Sequence, residues 1–249
     1  MEKNKLSELK EKFSNKTKAV IVGNGPSTAN VDWDKIQNCS AREDILFLAC
    51  NRISMIFDQT NWRPDIYVCL TSASLTEPQW QTSIDMCLEN EQITSIVFDE
   101  YKKQFKLNKH YDNIIFVKNV VEHHRLAPIW RNFIAMPIVN GIIKSYGATT
   151  SLFQICDFLE IKKIGLVGQD GYIYESGKNH FDSGYGFETS NFERANNRIL
   201  NLHKELKRYF GNKEVEIYNH STKTIIENVY PYIDIENFTL DTGGNNTNE

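Results

Sequence analysis

The sequence predicts an α/β fold in which a mostly parallel, doubly wound sheet carries helices on both faces. Three observations support this prediction. Short continuous apolar runs recur along the chain, as in parallel strands that are buried on both faces. Helical segments alternate with these runs, which favours right-handed crossovers between parallel strands. Several runs end in Gly, Asn, Ser or Asp, and ligands of such sheets bind beyond the carboxyl ends of the strands.

Seven apolar runs are expected to form the strands. The first run, Ala19–Val22 in KAVIVGNGPS, leads directly into glycines. The others, in chain order, are ILFLAC, DIYVCL, SIVFDE, NIIFVKN, KKIGLVGQD and EVEIYN. Between them a helix is expected over 148–160, because its apolar residues share one stripe at helical spacing. A second helix is expected over 192–209.

The remaining segments set the domain organisation. Residues 1–16 are rich in Lys and Glu and are expected to be a leading helix or a mobile segment. A single nucleotide-sugar-binding domain is expected over 17–238. Within it, 120–146 is interpreted as an irregular excursion over the site, and 171–191, rich in Gly, Ser, Tyr and Asn, as a lid. The low-complexity tail, 239–249, is expected to be disordered.

Composition excludes several classes of protein. The chain has 249 residues, of which 41% are hydrophobic and 24% charged, as is usual for a globular protein. A formal net charge of -4 argues against a nucleic-acid groove, which needs a basic surface. No apolar run reaches the roughly 20 residues that span a bilayer, and no signal-peptide core is seen near the N-terminus. A cytoplasmic protein is expected, with peripheral association at the inner face of the cell membrane left open.

Neither a disulfide framework nor a metal site is expected. The five cysteines are scattered without a CxxC pair, and Cys50, Cys69 and Cys156 lie in apolar runs that predict small buried side chains. The DxD pair that clamps Mg²⁺ or Mn²⁺ in many sugar-nucleotide transferases is absent, since Asp32 and Asp34 form only VDWD. No metal and no cofactor are therefore predicted.

The first two strand ends carry the predicted nucleotide site. In GNGPS, Gly23, Gly25 and Ser27 allow tight turns whose amide N–H groups can hold a phosphate. The loop matches neither the dinucleotide fingerprint nor a Walker loop. Asn24 and Asn51 each follow a buried strand, and a side-chain amide can bind a base edge or a ribose hydroxyl. The alternative, that each Asn stabilises its own turn, stays open. Ser72, in the TSAS cluster after the third run, is a further candidate.

Later strand ends supply the remaining candidates. Asp170, in GQDGY, is a candidate either for binding a hydroxyl or for capping the next segment. Tyr172 and Tyr174 lie in the lid and are candidates for donating to a leaving phosphate. His180 is a candidate general base or phosphate contact, and His220, in YNHS, competes for the same roles. Of the other histidines, His110 and His203 are expected at the surface.

The order of these motifs resembles the bacterial lipooligosaccharide and capsule sialyltransferases. The matching segments cover about two-thirds of the chain: VIVGNGPS, LFLACNR, GATTSLFQICDFLEIKKIGLVGQDGYIY and EIYNHS. The resemblance implies a single modified Rossmann-like domain with a lid, and a CMP-sialic acid donor used with inversion and without metal. It implies that Asn24 and Asn51 bind the CMP moiety and that Gly147, Ala148 and Thr149 contact the donor carboxylate and phosphate. Tyr172, with Asn179 or His180, takes the place of groups on the departing phosphate.

Two departures keep alternatives open. Where the family has its catalytic histidine, this chain reads TSNFERANNR, with Glu193 or Arg194 nearest. GQD followed by a loop histidine also resembles the motility-associated, flagellin-modifying and pterin-pyrophosphokinase-like group. A pyrophosphokinase or other nucleotide-dependent transferase is therefore one alternative. A catalytically inactive nucleotide-binding scaffold is the other.

The predicted reaction is attack by an acceptor-glycan hydroxyl on the anomeric carbon of a CMP-activated nonulosonic acid. His180 is the predicted base, with Glu193 as runner-up. Tyr172, with Tyr174, would stabilise charge on the leaving phosphate. The predicted partners are this donor and a bacterial surface-glycan acceptor, as in lipopolysaccharide or capsule synthesis, and no nucleic acid. Homo-oligomerisation stays open.

Overall fold

The fold is known from a computed structural model of the chain. The structure describes residues 2–69, 78–101, 112–121, 142–144, 148–171, 180–182 and 192–240. Nine strands lie within these ranges: β1 Lys18–Val22, β2 Ile45–Cys50, β3 Ile66–Cys69, β4 Thr94–Phe98, β5 Ile114–Val117, β6 Asn119–Val121, β7 Ile142–Lys144, β8 Lys163–Val167 and β9 Glu216–Asn219.

Seven of these strands form one sheet in which every pair is parallel, in the order β5-β4-β3-β2-β1-β8-β9. The predicted α/β fold class is confirmed. The chain moves outward from β1 to β5 on one side and then returns to place β8 and β9 on the other. The direction of winding therefore reverses between β1 and β8, and in open α/β sheets this switch point is where ligands bind.

Six helices are described: α1 Glu2–Lys12, α2 Trp33–Gln37, α3 Pro78–Leu88, α4 Thr149–Phe158, α5 Phe192–Gly211 and α6 Ile235–Leu240. The leading segment forms α1 and joins the core, because Leu6 and Leu9 are 4% and 2% exposed. Lys5 ties the same helix to β5, since its Nζ donates to the carbonyl oxygens of Asp112 and Ile114 at 3.3 and 3.0 Å. No helix in the described ranges is both long enough and apolar enough to cross a membrane.

Burial explains why the strands read as continuous apolar runs. Every residue of β1, β2, β3 and β4 is buried. Successive side chains of a strand point to opposite faces, so both faces of the central sheet are covered. Cys50, Cys69 and Cys156 are buried free thiols, as predicted. Burial raises the pKa of Cys50 to about 12, which keeps this thiol protonated and unreactive.

The structure differs from the sequence-based expectations in three places. Strands β6 and β7 pair in parallel at the two ends of the segment interpreted as irregular, and three residues each are too few to show a period. Helix α6 continues to Leu240, beyond the predicted start of the tail, while 241–249 lie outside the described residues. His203 was expected at the surface and is wholly buried, because it lies on the apolar stripe of α5 against Phe153 and Tyr230.

Candidate functional site

The candidate site lies at the carboxyl edge of the sheet, where the loops after β1, β2 and β8 meet. Strands β1 and β8 are neighbours in register, with Val22 beside Val167. The GNGPS loop after β1 therefore lies against the GQD segment after β8. The 180–182 segment and the residues that follow β9 reach the same edge, as described below. The topology thus brings together polar clusters that are distant in sequence.

The glycines of these two loops are needed for close packing. Gly23 N donates to Val167 O at 2.8 Å, and Gly25 N donates to Gly168 O at 3.0 Å. A Cβ on Gly23 would lie 2.3 Å from Gly168 O, a distance that no real side chain tolerates. Gly168 itself has a φ of +68°, in the left-handed region that favours glycine. The two loops interlock as backbone against backbone.

This packing corrects one expectation. The amides of Gly23, Gly25 and Ser27 were predicted to hold a phosphate, but all three donate within the chain. A committed N–H group cannot also bind a ligand without giving up its present acceptor. Any phosphate at this edge would therefore need other donors.

Asp170 is the acceptor for Ser27. Its Oδ2 atom accepts from Ser27 N and from Ser27 Oγ, both at 2.9 Å. Asp170 is only 3% exposed, and burial raises the pKa of its carboxyl, opposed by the hydrogen bonds from Ser27. The side chain thus turns inward and binds the glycine loop. Of the two roles considered from the sequence, this geometry favours contact within the protein.

The NHS cluster after β9 contributes Ser221 to the same network. Ser221 Oγ donates to Ser27 Oγ at 2.8 Å. Its neighbour His220 packs instead beside Gly165 and Phe238, and its Nδ1 donates to Ile233 O at 2.8 Å. Burial lowers the pKa of His220 to about 4, so the ring is neutral near pH 7. Sequence reasoning chose the histidine, while the adjacent serine makes the contact with the loop.

Asn24 connects the ends of two neighbouring strands. Its Nδ2 donates to Cys50 O at 3.1 Å, which links the end of β1 to the end of β2. Since Cys50 O can only accept, this contact fixes which end of the Asn24 amide is the oxygen. That oxygen, Oδ1, is buried and has no hydrogen-bond partner in the described part of the chain. An acceptor left in this way costs about 1–3 kcal/mol.

Asn51 follows β2 directly and has a strained backbone. Its φ of +56° is uncommon for a residue other than glycine, although Asn tolerates it best. Tyr67 stabilises this conformation by donating from its hydroxyl to Asn51 O at 2.7 Å. Asn51 Oδ1 is also buried without a partner among the described residues. The ends of β1 and β2 therefore each present one unsatisfied side-chain oxygen.

The 180–182 segment docks on Asn24. The carbonyl oxygen of Asn24 accepts from Phe181 N at 3.0 Å and lies 3.3 Å from His180 Nδ1. Because a carbonyl can only accept, Nδ1 must carry the ring proton, and the neutral ring then has its basic lone pair on Nε2. Two of the predicted site residues, Asn24 and His180, are thus brought into contact.

Of the two remaining candidates, Thr149 contacts the GQD segment and Glu193 is exposed on α5. Thr149, in the first turn of α4, donates from Oγ1 to Gln169 Oε1 at 2.6 Å. Gln169 also covers Gly23, where a Cβ would lie 2.5 Å from its Nε2. Sequence reasoning missed Gln169, although its place between Gly168 and Asp170 in the GQD motif was a usable signal. Glu193 is exposed in the first turn of α5.

Comparison with known proteins gives a likeness in structure but not in sequence. No family model matches the chain, and no curated protein matches it. Among solved structures, the fold is similar to a variant of the sialyltransferase CST-II in complex with CMP. The sequence identity is 14% and the TM-score 0.49, over 86% of this chain and 85% of that chain.

Several predicted site residues lie outside the described residues. These are Ser72 after β3, Tyr172 and Tyr174 in the lid, Gly147 before α4, and Asn179 beside His180. Among the described residues, no three His, Cys, Asp or Glu side chains converge as metal ligands would. Asp32 and Asp34 accept hydrogen bonds from Lys35 N and from Thr60 Oγ1 respectively. Both carboxylates of VDWD therefore stabilise local structure.

Proposed function

We propose that the protein is an inverting, metal-independent glycosyltransferase that moves sialic acid or a related nonulosonic acid from a CMP-activated donor to a bacterial surface-glycan acceptor. The observation that carries the proposal is the pair of buried oxygens on Asn24 and Asn51, at the neighbouring ends of β1 and β2, which have no hydrogen-bond partner among the described residues. The resemblance of the sequence motifs to the sialyltransferases points to the same two residues.

The chemistry of these oxygens favours a base that carries an amino group. Cytosine presents the two hydrogens of its N4 amino group, whereas uracil has a carbonyl oxygen at the corresponding position. An amide oxygen attracts an N–H and repels a carbonyl, so the Asn24 and Asn51 oxygens would select cytidine over uridine. Adenine also carries an amino group, but it is a larger, two-ring base. Binding would satisfy acceptors that have no partner within the described ranges of the chain.

His180 is suited to the role of general base. In the tautomer that its contact with Asn24 O requires, Nε2 accepts the proton of the acceptor hydroxyl. The hydroxyl oxygen then bonds to the anomeric carbon, the bond from that carbon to the phosphate oxygen breaks, and CMP leaves. Tyr172 and Tyr174 are proposed to donate to the leaving phosphate. Glu193 remains the runner-up base.

The experiment is calorimetric titration of the protein with CMP, UMP and ATP. CMP should bind more tightly than UMP or ATP. Asn24→Ala and Asn51→Ala should each weaken CMP binding about 10-fold or more, the usual worth of a hydrogen bond to a buried group. Asn38→Ala is the matched control, since the Asn38 side chain only donates to Asp34 O at the end of α2. Tighter binding of UMP or ATP would overturn the proposal.

Turnover without metal separates the proposed function from its alternatives. Slow hydrolysis of a CMP-sugar that persists in EDTA supports the glycosyltransferase. Activity that is restored only by Mg²⁺ or Mn²⁺ would instead support a pyrophosphokinase-like or metal-dependent transferase. CMP binding without any turnover would support the inactive scaffold.

A further inference from the structure

We propose that Asp170 is a positioning residue, which acts through Ser27 to hold the glycine loop so that Asn24 faces the nucleotide. The inference rests on the proposed function, because it names how the CMP site is held in place. It also differs from the role first considered for Asp170 as a group that touches the donor.

The geometry around Asp170 is built for one partner. The carboxylate is buried, and its Oδ2 atom accepts from both the backbone and the side chain of Ser27. Gly25 makes this approach possible, because a Cβ at that position would lie 2.1 Å from Oδ2. A side chain other than glycine at residue 25 would push the carboxylate and the loop apart.

The hydroxyl of Ser27 is saturated. It donates its one proton to Asp170 and accepts from Ser221 Oγ at 2.8 Å and from Gly168 N at 3.1 Å. A hydroxyl has one donor and two lone pairs, so nothing remains for a ligand. Because Asp170 Oδ2 already accepts from Ser27 N and also accepts from Ser27 Oγ, the proton order runs from Ser221 to Ser27 to Asp170. The network ties the ends of β1, β8 and β9 together.

The effect reaches Asn24 through the loop backbone. Asn24 lies between Gly23 and Gly25, whose amides are both bonded to the end of β8. Ser27 lies two residues beyond Gly25. Its amide is bonded to Asp170, which holds this end of the loop. Without the Asp170 carboxylate, this end of the loop would loosen. The Asn24 side chain keeps its own bond to Cys50 O but would shift with the loop backbone, and a shift of even 1 Å weakens a hydrogen bond strongly.

The test is a double-mutant cycle on CMP affinity with Asp170→Asn, Ser27→Ala and the double variant. Each single change should weaken CMP binding about 10-fold. The loss in the double variant should stay clearly below the product of the two, because both changes weaken the shared contact between Ser27 Oγ and Asp170 Oδ2. Asp157→Asn is the matched control, since the Asp157 side chain bonds only Tyr209 and Lys213 among the described residues and the change should leave the affinity unchanged. Losses that multiply to about 100-fold would overturn the proposal and make Asp170 a direct ligand contact.

Hydrogen exchange of the peptide spanning 23–28 provides a readout that needs no nucleotide. Exchange should speed up in Asp170→Asn and stay unchanged in Asp157→Asn, at equal global stability. Unchanged exchange in Asp170→Asn would overturn the positioning role even if CMP binds. If the wild type binds no CMP, the proposed function fails, and faster exchange would still show that Asp170 holds the loop. If Asp170→Asn does not fold, Ser221→Ala takes its place. This variant removes only the hydrogen bond from Ser221 to Ser27, and we expect it to speed exchange more weakly.

Discussion

Two polar clusters, one at each edge of the sheet, differ in how their hydrogen bonds are satisfied. At the amino edge, Arg42 forms a two-pronged ion pair with Asp65 at 3.1 and 3.0 Å, and Phe47 N also donates to Asp65 Oδ2 at 2.8 Å. At the carboxyl edge, Asn24 and Asn51 keep buried oxygens without partners in the described chain, and Asn51 has a left-handed backbone. The Arg42–Asp65 cluster is thus fully hydrogen-bonded, whereas the Asn24 and Asn51 oxygens have no partner among the described residues.

This difference separates stability from function. Arg42 also donates to Ile45 O and Arg63 O, so its guanidinium joins the segments that lead into β2 and β3. Strain and unsatisfied polar groups concentrate where a protein binds or reacts, because the folded structure elsewhere supplies the stability to hold them. Substitutions at the carboxyl edge should therefore change binding and turnover, whereas substitutions at the amino edge should change stability.

The largest effect is expected at His180. His180→Ala should lower turnover about 10²–10⁴-fold, the usual contribution of a general base, with little change in CMP affinity. The measurement is single-turnover transfer from a CMP-sugar alongside calorimetry. Glu193→Gln is the comparison variant, and near-normal turnover in His180→Ala with loss in Glu193→Gln would transfer the base role to Glu193. If His180→Ala mainly weakens donor binding, His180 is a phosphate ligand and the base lies elsewhere.

A smaller effect of the opposite kind is expected at the amino edge. Asp65→Asn should lower the free energy of unfolding by about 2–3 kcal/mol, since it breaks a largely buried ion pair and weakens the bond to Phe47 N. CMP affinity should stay within about twofold of the wild type. Urea denaturation measures the first quantity and calorimetry the second. Glu205→Gln, which breaks the exposed pair with Arg208, should leave stability almost unchanged. A large loss of CMP affinity in Asp65→Asn would erase the contrast between the edges.

The effect that is smallest near neutral pH concerns a histidine outside both edges. Burial lowers the pKa of His203 to about 3, so the folded state holds the ring neutral. Between pH 6.5 and about 3 the unfolded chain binds this proton and the folded chain does not. Stability is therefore expected to fall as pH decreases below 6.5, by about 1.4 kcal/mol per pH unit for this residue. Above pH 6.5 His203 contributes no slope.

The check is urea denaturation of the wild type and His203→Phe from pH 7.5 to 4.5. The variant loses the contact between Nδ1 and the Tyr230 hydroxyl at 3.2 Å, so its absolute stability is expected to be lower at neutral pH. The informative quantity is the slope of the free energy of unfolding against pH below pH 6.5. This slope should be shallower in the variant, because one fewer proton is taken up on unfolding. His220, with a pKa lowered to about 4, keeps its own slope in both proteins. Equal slopes would show that His203 does not stay neutral in the folded state.

Prediction from sequence succeeded where one strong physical signal was enough. The runs that became β1, β2 and β8 are apolar throughout because strands buried on both faces exclude polar side chains. Prediction was less successful where elements are short, as in β6 and β7, because three residues carry no usable period. The outcome at His203 has a related cause, since a histidine among polar neighbours on a helix can still lie on the buried stripe.

The sequence by itself determined the fold class and the edge at which the polar clusters gather, because strand direction and strand ends can be inferred from local pattern. Only the tertiary structure decided which side chain of each cluster faces the protein interior and which residue it contacts. Asp170 turned inward to Ser27, Ser221 joined that network in place of His220, and the glycine amides were used for packing between loops. The physical reason is that side-chain direction and hydrogen-bond partners depend on neighbours from distant strands, and those neighbours meet only when the sheet has formed.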